Sequence, residues 1–233
     1  METKRTMAYD VRKSADRMDY ILNEDSSAFT AIGSIPSREA LTYNNGYYVN
    51  AISLFIDMVG SSNLTEKHDK PTLAKIYRCF ISECIAIMNS EDLCKEINIV
   101  GDCVGGIFDM INKDDINRVI LVAAKLNGMI KILNHKLKEK SYSEISAGIG
   151  IDVGQALMVK AGYSESGIND IIWMGDVVNS ACHLCNGAGR NGLKTVVISE
   201  GIYNGLDVHI KSQFSSFYNG TVKLYEGSIV DGL

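Results

Sequence analysis

The sequence predicts an α+β fold, a mainly antiparallel sheet with flanking helices in the order of a ferredoxin-like palm. Three observations carry that prediction. Short apolar runs rich in β-branched residues recur along the chain, at residues 48–57, 97–100, 103–109, 145–153, 171–174 and 195–199. Two longer segments, Leu73–Met88 and Asp115–Leu137, place their apolar residues at helical spacing instead. Read in order, the body runs β, α, β, β, α, β, which is the palm unit.

The elements follow in turn. Residues 1–45 are polar and mixed and read as an N-terminal extension, with a helix over Tyr9–Leu22 because Val11, Ala15, Met18 and Leu22 keep helical spacing. Asn44-Asn45-Gly46 signals a turn, and residues 46–233 form the main domain. Tyr48–Asp57 is a buried strand, followed by a helix starting near Ser62 or Leu64 and the helix Leu73–Met88. Ile97–Val100 and Cys103–Asp109 form a hairpin turning at Gly101-Asp102. Asp114 or Asp115 would cap the next helix. Ile145–Val153 is a strand in which Gly148 and Gly150 mark close backbone approach. Ile171–Met174, the helix Asp176–Leu184, Thr195–Ser199 and a last strand at Gly220–Tyr225 complete the chain.

Composition excludes several classes. The chain of 233 residues is 46% hydrophobic and 22% charged, with a net charge of −5 and no dense Lys/Arg run. Nucleic acid and anionic membranes are therefore not expected partners. No segment reaches the ~20 apolar residues of a membrane span, and the N-terminus lacks a signal-peptide core. A cytoplasmic protein is expected. The six cysteines include one C-x-x-C, Cys182 and Cys185, read as small buried residues rather than half a zinc site.

Two aspartates stand in matched settings. Asp57 ends the apolar run from Ala51, and Asp102 sits at the tip of the predicted hairpin. Carboxylates carried to the ends of buried strands lose water and need a cation, and two that converge make a site for a divalent metal. In the palm the first strand and the hairpin are neighbours, so both can point at one spot. After Asp57 come Met58, Val59, Gly60, Ser61 and Ser62. Gly60 leaves room for a ligand, and the N–H groups of residues 59–62 suit a phosphate. The Met58 carbonyl is a third candidate metal ligand. Two magnesium or manganese ions beside a triphosphate would let one activate a hydroxyl while the other neutralises the leaving group. Asn179 and His183, four residues apart, share a helix face and could meet a ribose or a phosphate.

These residues resemble a known family. Phe55-Ile-Asp57-Met-Val-Gly-Ser-Ser62, Ile99-Val-Gly-Asp102, Gly148-Ile-Gly-Ile-Asp-Val-Gly154 and Gly175-Asp-Val-Val-Asn179 are similar, in order and spacing, to the catalytic domain of class III nucleotide cyclases. The resemblance covers about residues 46 to 200. It implies a homodimer with active sites at the interface. One protomer would supply metal aspartates matching Asp57 and Asp102, and the other an Asn matching Asn179 and a transition-state Arg. His183 stands at that Arg position and cannot make a two-pronged guanidinium contact. The two purine-reading positions hold Asn98 and Ile172, and isoleucine has no hydrogen-bonding group for a base.

Those departures fit a subgroup. Tyr47-Tyr-Val-Asn-Ala, Tyr77-Arg-Cys-Phe-Ile-Ser-Glu83, Glu96-Ile-Asn-Ile-Val-Gly-Asp102 and Trp173-Met-Gly-Asp-Val-Val-Asn179 resemble the bacterial pyrimidine cyclases of Pycsar anti-phage systems. That resemblance implies conversion of UTP or CTP, with a lean to UTP, to the 3′,5′-cyclic monophosphate plus pyrophosphate. A separate effector would respond to the product. Tyr48 is the candidate for narrowing the base pocket, with Tyr47 and a plain packing role as rivals. Lys160, Arg190 and Lys223 are candidates for holding the triphosphate. An adenylate or guanylate cyclase with altered base readers, and a nucleotide-binding module without turnover, stay open as alternatives.

Overall fold

The structure is a computed structural model that describes residues 8–231. In chain order its elements are α1 (Val11–Leu22), β1 (Phe29–Ala31), β2 (Gly46–Val59), α2 (Ser61–Lys67), α3 (Lys70–Asn89), β3 (Cys94–Val100), β4 (Cys103–Asp109), α4 (Asp114–Glu139), β5 (Ser146–Tyr163), β6 (Ile168–Met174), α5 (Asp176–Gly187), β7 (Val196–Ser199), α6 (Glu200–Gly205), α7 (Val208–Lys211), β8 (Phe214–Asn219) and β9 (Val222–Gly227). They divide into two compact units. One holds the chain up to Asn50 together with Gln155–Gly175, and the other holds Ala51–Gly154 and the chain from Asp176 onward.

The larger unit is a sheet in the order β3-β4-β2-β5-β7-β9-β8. Strands β2 and β4 are antiparallel, with Ile56 opposite Val104, and the β3–β4 hairpin closes with Val100 opposite Cys103. Strand β5 runs parallel to β7, with Ile149 opposite Val196. Side chains alternate between the two faces of a strand. Ile52, Leu54 and Ile56 therefore point to one side of β2, where they join the core formed with Ile76, Phe80, Cys84 and Met88 of α3 and Val119, Ala123 and Leu126 of α4. Burying each of the larger side chains contributes roughly 1.5–3 kcal/mol.

Helix α5 covers the opposite face. A Cβ on Gly148 would stand 2.3 Å from the Ala188 carbonyl oxygen, and one on Gly150 would stand 2.1 Å from the Cys185 nitrogen. Glycine at both positions lets the α5 backbone lie directly on β5. The flanking helices thus occupy both faces of the sheet. Helix α2 begins at Ser61, one residue from the expected start near Ser62, behind Gly60, which takes the left-handed conformation at φ 68°. Two expectations are corrected here. Neither Asp114 nor Asp115 is the N-cap of α4; that residue is Lys113, and the buried Asp115 carboxylate accepts from the Ile111 and Asn112 N–H groups at 2.8 Å each. The last strand is a hairpin, with Gly220 as its turn at φ 62° and β8 before it.

In the smaller unit, β1 lies parallel to the start of β2, with Phe29 opposite Gly46 and Ala31 opposite Tyr48. The second half of β5 forms a hairpin with β6, from Leu157 opposite Met174 to Tyr163 opposite Ile168. Arg38 pairs with Asp170 at 3.0 Å. The strand expected to stop at Val153 runs ten residues further, to Tyr163.

Candidate active site

The larger unit brings the two aspartates to one place. Alternation along β2 turns Asp57 to the face covered by α5, away from the α3/α4 core. The hairpin turn carries Asp102, and Gly101 before it adopts φ 65°, a conformation that disfavours any other residue. Asp57 is half-buried, and its pKa is raised above the ordinary 3.8, first by burial and then by the neighbouring Asp102 charge. The second cause places the two carboxylates within electrostatic reach of each other.

Arg190 is the cation at this site. Its Nη2 donates to Asp57 Oδ2 at 2.8 Å and to the Met58 carbonyl at 3.2 Å, and its Nη1 donates to the Cys185 and Ala188 carbonyls at 3.2 Å each. The guanidinium thus caps the C-terminal carbonyls of α5 and holds Asp57 with its other edge. It partly offsets the upward shift of the Asp57 pKa. Asp102 has no such partner: its Oδ2 is buried without a hydrogen bond. A buried carboxylate oxygen left unpaired is costly and fits a bound cation. Two converging carboxylates and a carbonyl are hard oxygen donors, the type magnesium and manganese take. Among the described residues no group of three or more His, Cys, Asp and Glu side chains is placed to hold a metal ion. An ion here would draw its remaining ligands from carbonyls, water or substrate.

Thiols line the same region. Cys185 is buried and its Sγ donates to the Gly148 carbonyl at 3.3 Å. A hydrogen bond to Cys103 and burial push the Cys185 thiol up, while that same bond lowers Cys103.

The other sequence candidates are distributed. Asn179 and His183 lie on α5, and both are exposed. No hydrogen bond or ion pair among the described residues joins either one to Asp57 or Asp102 in the same chain. His183 lines a cavity of about 370 Å³ with Phe217, Tyr218 and Asn219 of the β8–β9 hairpin. Val59 ends β2, Gly60 precedes α2, and Ser61 and Ser62 are its first residues. Asn98 is exposed on β3, opposite Gly105. In the smaller unit, Tyr48 and Ile172 are 38% and 44% exposed, while the neighbouring Trp173 Nε1 is buried without a partner. Of the basic candidates, Lys223 lies 3.9 Å from Glu200 and Lys160 sits over the Tyr43 ring. Only Arg190 touches a metal-candidate carboxylate. Sequence reasoning did not place it there, because the contact joins residues 133 positions apart.

Comparison with known proteins identifies the family of the domain. The adenylate and guanylate cyclase catalytic domain matches residues 46–228. A uridylate cyclase from Gulbenkiania mobilis is 39% identical over 88% of this chain and 83% of its own length. A uridylate cyclase from Treponema porcinum is 36% identical over 94% of this chain and 77% of its own. A solved bacterial light-regulated adenylyl cyclase shares the fold, with a TM-score of 0.68 and 21% identity over 78% of this chain. The chain spans only 52% of that larger protein. A catalytic-domain match over most of the chain, on a palm that draws two aspartates together, makes this chain a member of the adenylate and guanylate cyclase family.

Proposed function

We propose that this chain is a pyrimidine nucleotide cyclase that converts UTP to 3′,5′-cyclic UMP and pyrophosphate. The observation that carries the reading is the likeness, over most of both chains, to two proteins named uridylate cyclase. Asn98 and Ile172 support it, because neither purine-reading position holds a Lys or Glu and isoleucine has no hydrogen-bonding group for a base. Residues 46–233 would be the catalytic domain, and residues 1–45 an extension.

Asp57, Asp102 and the Met58 carbonyl would hold two divalent ions, magnesium or manganese. When bound, such ions neutralise charge on the triphosphate and favour ionisation of the ribose 3′-OH. The protein's own part is positioning. Gly60, Ser61 and Ser62, with Val59, offer backbone N–H groups to phosphate oxygens. Asn179 of the partner subunit would hold the ribose, and His183 of the partner subunit would stand near the charge that develops in the transition state. Tyr48 would narrow the base pocket. Arg190 would keep Asp57 ionised until a metal takes over that role. The 3′-OH then attacks the α-phosphorus in line, the bond to the bridging oxygen breaks, and pyrophosphate leaves with the electron pair. A messenger of this type would act in Pycsar anti-phage defence through an effector that binds the product.

The deciding assay incubates purified protein with manganese and each of the four nucleoside triphosphates in turn. Cyclic UMP as the main product supports the proposal. Cyclic CMP as the main product would keep the pyrimidine class and overturn the UTP assignment. Turnover of ATP or GTP alone would overturn the pyrimidine reading, and nucleotide binding without any product would mark a binding module.

A further inference from the structure

Helix α1 is attached by its polar side. Ser14 is buried, and its Oγ accepts from the Tyr9 hydroxyl at 3.0 Å and from Arg17 Nη2 at 3.3 Å. The Arg17 guanidinium lies 4.6 Å over the Tyr163 ring, and Asn44 donates to the Tyr20 hydroxyl at 3.2 Å and to Glu24. Residues 14, 17 and 20 thus form the anchored face, and Glu24, just beyond the helix, adds a contact. At ~100° per residue the opposite face carries Val11, Ala15, Met18 and Leu22. All four are exposed, Val11 at 71%, Met18 at 56% and Leu22 at 81%. An amphipathic helix ordinarily turns its apolar stripe to its own core. Here the stripe faces outward.

The stripe alternates four- and three-residue steps, the a/d seam of a coiled coil, and exposed Ala8 continues it by one step. The geometry points to α1 of a second copy of this chain, packed antiparallel along that seam. Three features favour this occupant. Under a two-fold axis the seam is self-complementary. Val11 faces the partner's Leu22 and the small Ala15 faces the partner's larger Met18, so every layer has a similar width. The flanking e positions are Arg12 and Asp19. In an antiparallel pair e meets e, so Arg12 faces the partner's Asp19 twice per dimer. A parallel pair would set Asp19 against Ser14, which is already buried within its own chain. The flank Arg12, Asp16, Asp19 has no basic excess, which disfavours an anionic lipid surface.

Twelve residues span ~18 Å, too little to supply the ~800 Å² per partner of a stable interface alone. The helix pair therefore adds to a dimer held elsewhere as well, and its contribution is read from the dimer dissociation constant. That measurement does not depend on nucleotide turnover, so it stands or falls separately from the proposed reaction.

The test is sedimentation equilibrium of the full chain. Met18→Glu should raise the dimer dissociation constant about tenfold or more. Its melting temperature at monomer concentrations should be unchanged, because Met18 is exposed in the single chain. Arg12→Asp and Asp19→Arg should each weaken the dimer about threefold or more, and the double variant should return it to near the wild-type constant. Mixed Ala15→Cys and Met18→Cys chains should form an inter-chain disulfide with a mild oxidant such as diamide, above the level of each single variant. An unchanged constant for Met18→Glu, additive rather than restored charge variants, or cross-linking of each singly substituted chain that equals that of the mixture would overturn the proposal. So would binding to phosphatidylglycerol vesicles that Met18→Glu abolishes while leaving the dimer constant alone.

Discussion

Asp57 is held between opposing influences. Burial and Asp102 disfavour its charge, and Arg190 favours it, with the first two prevailing. The folded chain therefore keeps the Asp57 proton to higher pH than the unfolded chain. The resulting stability is fully present below pH 3.8 and is lost as pH rises through the raised value. Metal-free Asp57→Asn should accordingly melt at or above the wild-type temperature at pH 7, while its cyclase activity falls about a hundredfold or more. Calorimetry without metal and a product assay with manganese check the two halves. Manganese should raise the wild-type melting temperature and leave Asp57→Asn and Asp102→Asn nearly unmoved. Arg190→Ala removes the offsetting cation, so the acid limb of the activity profile should shift to higher pH. A raised KM with the acid limb in place would instead put Arg190 on the triphosphate.

At the scale of elements, the site depends on how closely α5 lies against β5. Gly150→Ala would drive a methyl group into the α5 backbone at Cys185, where no side-chain rotation gives relief. A stability loss of about 1–3 kcal/mol is expected from such overpacking. Activity should fall further than stability explains, because α5 carries Asn179 and its C-terminal carbonyls anchor Arg190. Urea denaturation alongside kcat measurement checks this. The sequence marked Gly148 and Gly150 as close-approach positions, because glycine inside a β-branched run has few other uses. It did not reveal β1, whose three residues are too short for a period, nor the far half of β5, where Gly154 and Gln155 interrupt the apolar run. In α1 the apolar spacing was legible, but the direction it faces was not.

For the whole molecule, the proposed shared site has a direct consequence. Mixing Asp57→Ala chains with Asn179→Ala chains should restore activity to at most about a quarter of wild type, since half of randomly formed dimers are mixed and each has one intact site. Activity that stays at the level of the separate variants would count against sites built from two chains. The pairing of Asp57 with Asp102 was legible from the sequence because it depends on local rules. Alternation sets the face, an apolar run sets the strand, and a Gly-Asp turn sets the hairpin tip; the β-α-β-β-α-β order then makes strand and tip neighbours. Tertiary structure alone decided the rest. Arg190 meets Asp57, and Asp102 is left with an unpaired oxygen, through contacts between segments that share no local pattern. The outward stripe of α1 is likewise set by Arg17 lying over the Tyr163 ring and Tyr20 accepting from Asn44. Periodicity fixes which residues share a face; packing against distant segments fixes where that face points.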